Sequence, residues 1–67
     1  MSQAVRFTNF IKLLEKSGNN KIFAEQVGMN SDYVSHIKGK RRPIGDELAR
    51  RIEKALGKPD KWLDVSH

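Results

Sequence analysis

The sequence predicts an all-α domain: one compact unit of five helical segments. Three observations carry this. Apolar residues recur three and four apart along most of the chain and never alternate as a half-buried strand would. Glycine or proline closes or opens each apolar stretch. The 67 residues, 37% of them hydrophobic, are enough for one small core and not for two.

The first helix covers about residues 4–16, where Phe7, Phe10, Ile11 and Leu14 share one face. Gly18 stops it, and Asn19 is placed to cap the next segment. The second helix, about 20–27, turns Phe23, Ala24 and Val27 inward, with Ile22 at the edge. Gly28 ends it at a turn that needs a positive φ, a conformation that costs glycine little. Met29 plugs the corner. Asn30 or Ser31 caps the third helix, which runs to about Lys38 and stops at Gly39. Pro43 punctuates the following loop. The fourth helix, about 46–56, buries Leu48, Ala49, Ile52 and Leu56 and closes at Gly57. Asp46 and Glu47 complement the dipole of its first turn. Arg50, Arg51 and Lys54 form its outer face, in reach of Glu47 and Glu53. Pro59 suits the first turn of a short fifth helix that presents Trp62 and Leu63. That pair closes the core, lies in a dimer surface, or does both. His67 is terminal.

The second and third helices meet four constraints at once. Steeply crossed helices need a small residue at the contact, here Ala24, and a tight turn, here Gly28. The partner helix must offer bulky aliphatics on one face, here Val34 and Ile37. The polar residues between them face away. Directly after come Lys38, Lys40, Arg41 and Arg42, four cations in five residues, and no acid lies between Asp32 and Asp46. A short helix that shows hydrogen-bonding side chains to solvent beside phosphate-binding cations has the make-up of a major-groove reader. The net charge of +5 favours a polyanion in the same sense.

Other classes of function find no support. Cys is absent, which removes disulfides and thiolate ligation. No histidine pair, glycine-rich phosphate loop or carboxylate pair assembles a nucleophile with its base or a metal site, so no enzyme, cofactor or metal is expected. No run reaches membrane-spanning length and no signal-peptide pattern opens the chain, so a cytoplasmic, soluble protein is expected.

From about Asn19 onward, through VSHIKGKRRP and ELARRIEKALG, the chain resembles the phage-repressor and Cro type of helix-turn-helix. The resemblance implies a five-helix, lambda-repressor-like DNA-binding domain spanning residues 1–67, with the helix-turn-helix at about 20–38. It also implies homodimers on two-fold operators in the nucleoid of a bacterial host. It places Ser31, Asp32 and His36 near base edges, and Ser35 shares their exposed face. Asn20 stands where family members often carry Gln gripping a phosphate, and the shorter side chain weakens that expectation. Asn30, Tyr33, Lys38, Lys40, Arg41 and Arg42 complete the expected phosphate contacts.

Each position also has a plainer role. Ser31 and Asp32 suit the first turn of any helix. Asp32 either accepts from a cytosine amino group or only complements the dipole. Tyr33 either lays its hydroxyl on the DNA backbone or sits at the rim. The leading expectation is a sequence-specific repressor of phage or prophage type on double-stranded DNA. The alternative, on the same fold, is a protein-interaction module such as an antitoxin-type domain. The chain is either a complete Cro-like protein or the DNA-binding domain of a longer repressor.

Overall fold

The structure is a computed structural model that describes residues 3–65. Among them are four α-helices, α1 (Gln3–Ser17), α2 (Asn20–Val27), α3 (Ser31–Lys38) and α4 (Asp46–Ala55), and no strand. The expected fifth helix is instead a single 3-10 turn, Trp62–Asp64. It starts only at Trp62, after Lys61 in a left-handed conformation, φ 67°, which helical backbone does not accommodate. The expectation for His67 lies outside the described residues.

Local signals set the ends of the helices. The Asn19 side chain accepts from the Ile22 N–H and starts α2. The Asn30 side chain accepts from the Asp32 N–H at 2.7 Å, so Asn30 rather than Ser31 caps α3. Gly28 ends α2 at φ 78°, and the N–H groups of Gly28 and Met29 both donate to the Ala24 carbonyl. This reverses the chain within a few residues and brings α3 back across α2.

One apolar core takes residues from every element. Phe10 and Phe23 meet edge to face, centroids 5.1 Å apart. Around them lie Leu13 and Leu14, Ala24 and Val27, Val34 and Ile37, Ala49 and Ile52, with Ile44 and Leu63 from outside the α-helices. Leu63 is fully buried, which makes the C-terminal turn a lid on the core. Several inward assignments shift. Phe7, Ile11, Leu48 and Leu56 are only half-buried, and Trp62 likewise packs at the margin. The inward stripe of α1 runs instead through Arg6, Asn9, Phe10, Leu13 and Leu14.

Polar residues on these inward faces form a buried network. Arg6, 3% exposed, donates from Nε to Asp64, from one terminal nitrogen to the Ile44 carbonyl (2.8 Å) and from the other to Asp46 (2.5 Å). Arg50 bridges Asp64 (3.2 Å) and Glu53 (2.7 and 2.9 Å). The Arg50–Glu53 pair expected at helical spacing forms, but not on an outer face: Arg50 is half-buried and Glu53 completely buried. Its two oxygens also accept from the N–H groups of Lys61 (3.0 Å) and Leu63 (2.8 Å). The carboxylate thereby holds the C-terminal turn and has every buried lone pair directed at a donor. Asn9 donates to the carbonyls of Leu63 and Val65, both at 2.9 Å, and fastens the same turn to α1.

The Arg6 guanidinium, helped by Arg50, holds the Asp64 carboxyl below the usual carboxylate range against the opposing effect of burial. A depressed folded pKa means that Asp64 stabilises the fold above the unfolded value of about 3.9. That stabilisation disappears as pH falls through the lower folded value. Asp64→Asn is expected to lose about 3 kcal/mol at pH 7, the low end for a broken buried pair because Arg6 keeps Asp46. The difference from wild type should shrink as pH falls below about 4. Urea denaturation across this range checks it, and a gap independent of pH would contradict it.

Candidate nucleic-acid interface

Of the eight residues of α3, Val34 and Ile37 alone are buried, at 0% and 1% exposure. Ser31, Asp32, Tyr33, Ser35, His36 and Lys38 are all exposed. The two aliphatics hold α3 against α2, which leaves the hydrogen-bonding side chains on the solvent side. All four candidate base readers, Ser31, Asp32, Ser35 and His36, lie on this short exposed surface.

Asn20, at the start of α2, donates from Nδ2 to the Ser35 hydroxyl oxygen at 2.9 Å. The bond ties the start of α2 to the outer face of α3 and leaves the Ser35 proton free to donate elsewhere. Asn30 uses its side-chain carbonyl as the α3 cap, which leaves its amide N–H groups to face solvent. Tyr33 is 38% exposed, a rim position.

α3 ends where expected, after Lys38 with Gly39 as its C-cap. Gly39 has φ −83°, an ordinary conformation for any residue. Lys40 takes the left-handed position instead, φ 61°. The Arg41 N–H donates to the His36 carbonyl (2.8 Å) and the Lys40 N–H to the Ile37 carbonyl (2.9 Å). This is the Schellman arrangement with a lysine where glycine is usual. It turns the chain sharply and sends residues 40–42 off alongside the end of α3. Lys40 lies with its ammonium 4.9 Å from the centroid of the Phe7 ring, a contact that holds the side chain in place.

Ile44 fixes the other end of the basic loop. Gln3 donates to its carbonyl (2.8 Å) and accepts from its N–H (2.9 Å), and Arg6 donates to the same carbonyl. The loop is thus pinned at both ends, to α3 by the Schellman bonds and to α1 by Gln3 and Arg6. Lys38, Lys40, Arg41 and Arg42 are exposed, and among the described residues none pairs with a carboxylate. Gln3, Arg6 and Phe7 therefore shape this surface although sequence reasoning assigned them no part in it. The Ile44 partner of Gln3 and Arg6 lies 41 and 38 residues away along the chain, and the Lys40 partner of Phe7 is also distant, so no local pattern announces them. Among the described residues no cluster of metal-ligating side chains occurs, and no helix is long and apolar enough to cross a membrane.

The left-handed lysine yields a test in which backbone and side chain separate. Lys40→Gly should be more stable than Lys40→Ala by about 1 kcal/mol, since both lose the Phe7 contact and glycine alone relaxes the backbone. A β-carbon on Gly39 would make only ordinary contacts, the nearest 3.5 Å from the Ser35 carbonyl oxygen. Gly39→Ala should accordingly be neutral or stabilising by up to about 1 kcal/mol in thermal denaturation. A loss larger than that would place the left-handed residue at Gly39.

No family model matches the chain, and no solved structure matches it significantly. The chain is similar to the prophage repressor CohE of Escherichia coli (strain K12), with 35% identity over 65 residues. The match takes in 94% of this chain and spans 29% of that repressor's length. The likeness extends over nearly the whole of this chain and less than a third of that repressor, and it supports the resemblance to the phage-repressor family.

Proposed function

We propose that the protein is a sequence-specific DNA-binding transcriptional regulator of prophage type, acting as a repressor. The α2–α3 pair serves as a helix-turn-helix, with α3 in the major groove. Ser31, Asp32, Ser35 and His36 meet base edges there, while Asn20, Asn30, Tyr33, Lys38, Lys40, Arg41 and Arg42 meet the phosphates. The protein binds a pseudo-palindromic operator as a homodimer, its half-sites about one helical turn apart. It works in the bacterial cytoplasm, on the nucleoid. The whole of residues 1–67 serves as one DNA-binding domain.

One observation carries this reading: the exposed polar face of α3 continues, through a hydrogen-bonded turn, into four cations that pair with no carboxylate among the described residues. Phosphates are the natural partners of such cations, since binding releases the counterions condensed on the duplex. The relative's name, a prophage repressor, supports the regulatory role. Asp32 is the sharpest feature. A carboxylate facing DNA opposes the phosphates, and against a cytosine amino group it confers discrimination rather than bulk affinity.

Selection of binding sites from a random duplex pool at near-physiological salt should enrich a two-fold palindrome. On the enriched site, Arg41→Ala or Arg42→Ala should weaken binding to all sequences and lower the salt slope of log K by about 1. Asp32→Ala or His36→Ala should change the preferred base, with discrimination altered by about 1–3 kcal/mol. A pool without enrichment would refute sequence-specific binding, and an Asp32→Ala variant that keeps the wild-type ranking would remove Asp32 from the readers.

A further inference from the structure

Between the first half of α1 and the basic loop lies a half-open groove of about 500 Å³, within the size range of ligand pockets. Its floor is apolar, made by Phe7 and Pro43 with the edges of Ile37 and Ile44. Lys40, Arg41 and Arg42 stand along its margin. A DNA backbone can reach those cations but has no apolar group with which to fill the floor.

We infer that this groove docks an acidic, amphipathic helical segment of another polypeptide, which lowers apolar side chains onto Phe7 and Pro43 while its carboxylates meet Lys40, Arg41 and Arg42. Charge complementarity selects the acidic partner. Lys40 is already held at the wall by the Phe7 ring, so a carboxylate meets a cation in place.

The backbone argues for a helix over an added strand. The Ile44 N–H and carbonyl are both engaged by Gln3, the N–H groups of Lys40 and Arg41 bond within the turn, and Pro43 has none. A strand would find little backbone to pair with here. A helix needs only side-chain contacts, placed at i and i+4. Where these cations also hold phosphate, which rests on the function proposed above, the acidic segment and DNA exclude each other. Such a partner would release the operator by mass action.

The test uses a synthetic, fluorescein-labelled helical peptide with Leu and Phe at i and i+4 on one face and Glu on the others. Fluorescence anisotropy follows its binding to the free protein, without DNA. Replacing its Leu and Phe by Ala should weaken binding about tenfold or more. Thr8→Trp, an exposed groove residue outside the DNA surface, should fill the groove and cost the peptide a similar factor. The same variant should keep DNA affinity within about twofold of wild type. Equal binding of the Ala peptide, or an unaffected Thr8→Trp variant, would reduce the interaction to charge attraction and overturn the inference. Peptide binding with these losses, in a protein that binds no DNA, would uphold the groove and sink the function proposed above. Specific DNA binding without peptide binding would do the reverse.

Discussion

The buried guanidinium of Arg6 is the interaction on which the arrangement depends. It joins three parts of the chain far apart in sequence: α1, the loop at Ile44 and the start of α4, and the C-terminal turn at Asp64. Burying an arginine is costly unless its charge and its N–H groups are met. Here two carboxylates and a backbone carbonyl meet them, and Arg50 carries the network on to Glu53 and the C-terminal N–H groups. The geometry of the exposed surface follows. With Ile44 fixed, the basic loop has one place to lie, beside α3 rather than loose in solvent. Preorganised cations lose less conformational freedom on meeting phosphate than cations in a mobile loop.

A division of labour follows between core and surface. Apolar contacts at Val34 and Ile37 orient α3, and the polar network positions the loop beyond it. Val34 and Ile37, and Arg6 at the centre of the network, are all buried. The outward residues are held in turn by single contacts: Asn20 to Ser35, Asn30 to the α3 N-terminus, Lys40 to Phe7. Changes in the network should accordingly move the exposed residues of α3 and the basic loop without touching them.

What sequence revealed and what it hid divide along the range of the interactions. Asn19, Gly28, Asn30 and Gly57 were legible because caps and left-handed turns depend on residues within a few positions. Val34 and Ile37 were legible from helical spacing, and with them the exposed face of α3. Arg6, Asn9 and Glu53 were not, since a polar residue on an amphipathic helix looks like surface until its partner is known. The partner of Arg6 at Asp64 is 58 positions away. Glu53 was assigned to surface pairs for the same reason. At the end of α3 the stop at Gly39 was legible, and the left-handed residue beyond it was not. Glycine is the usual left-handed residue, but the Schellman bonds fall one position later, at Lys40.

The central claim is that α3 and the basic loop act as one DNA-docking surface. The most direct measurement is a nuclear magnetic resonance titration of isotopically labelled protein with the selected duplex, read residue by residue. Amide shifts concentrated on residues 30–42, with Asn20 among them, and little change at Ala49, Ile52 and Leu63, are the result this arrangement requires. Shifts centred on α4 or the C-terminal turn, with α3 unmoved, would contradict it.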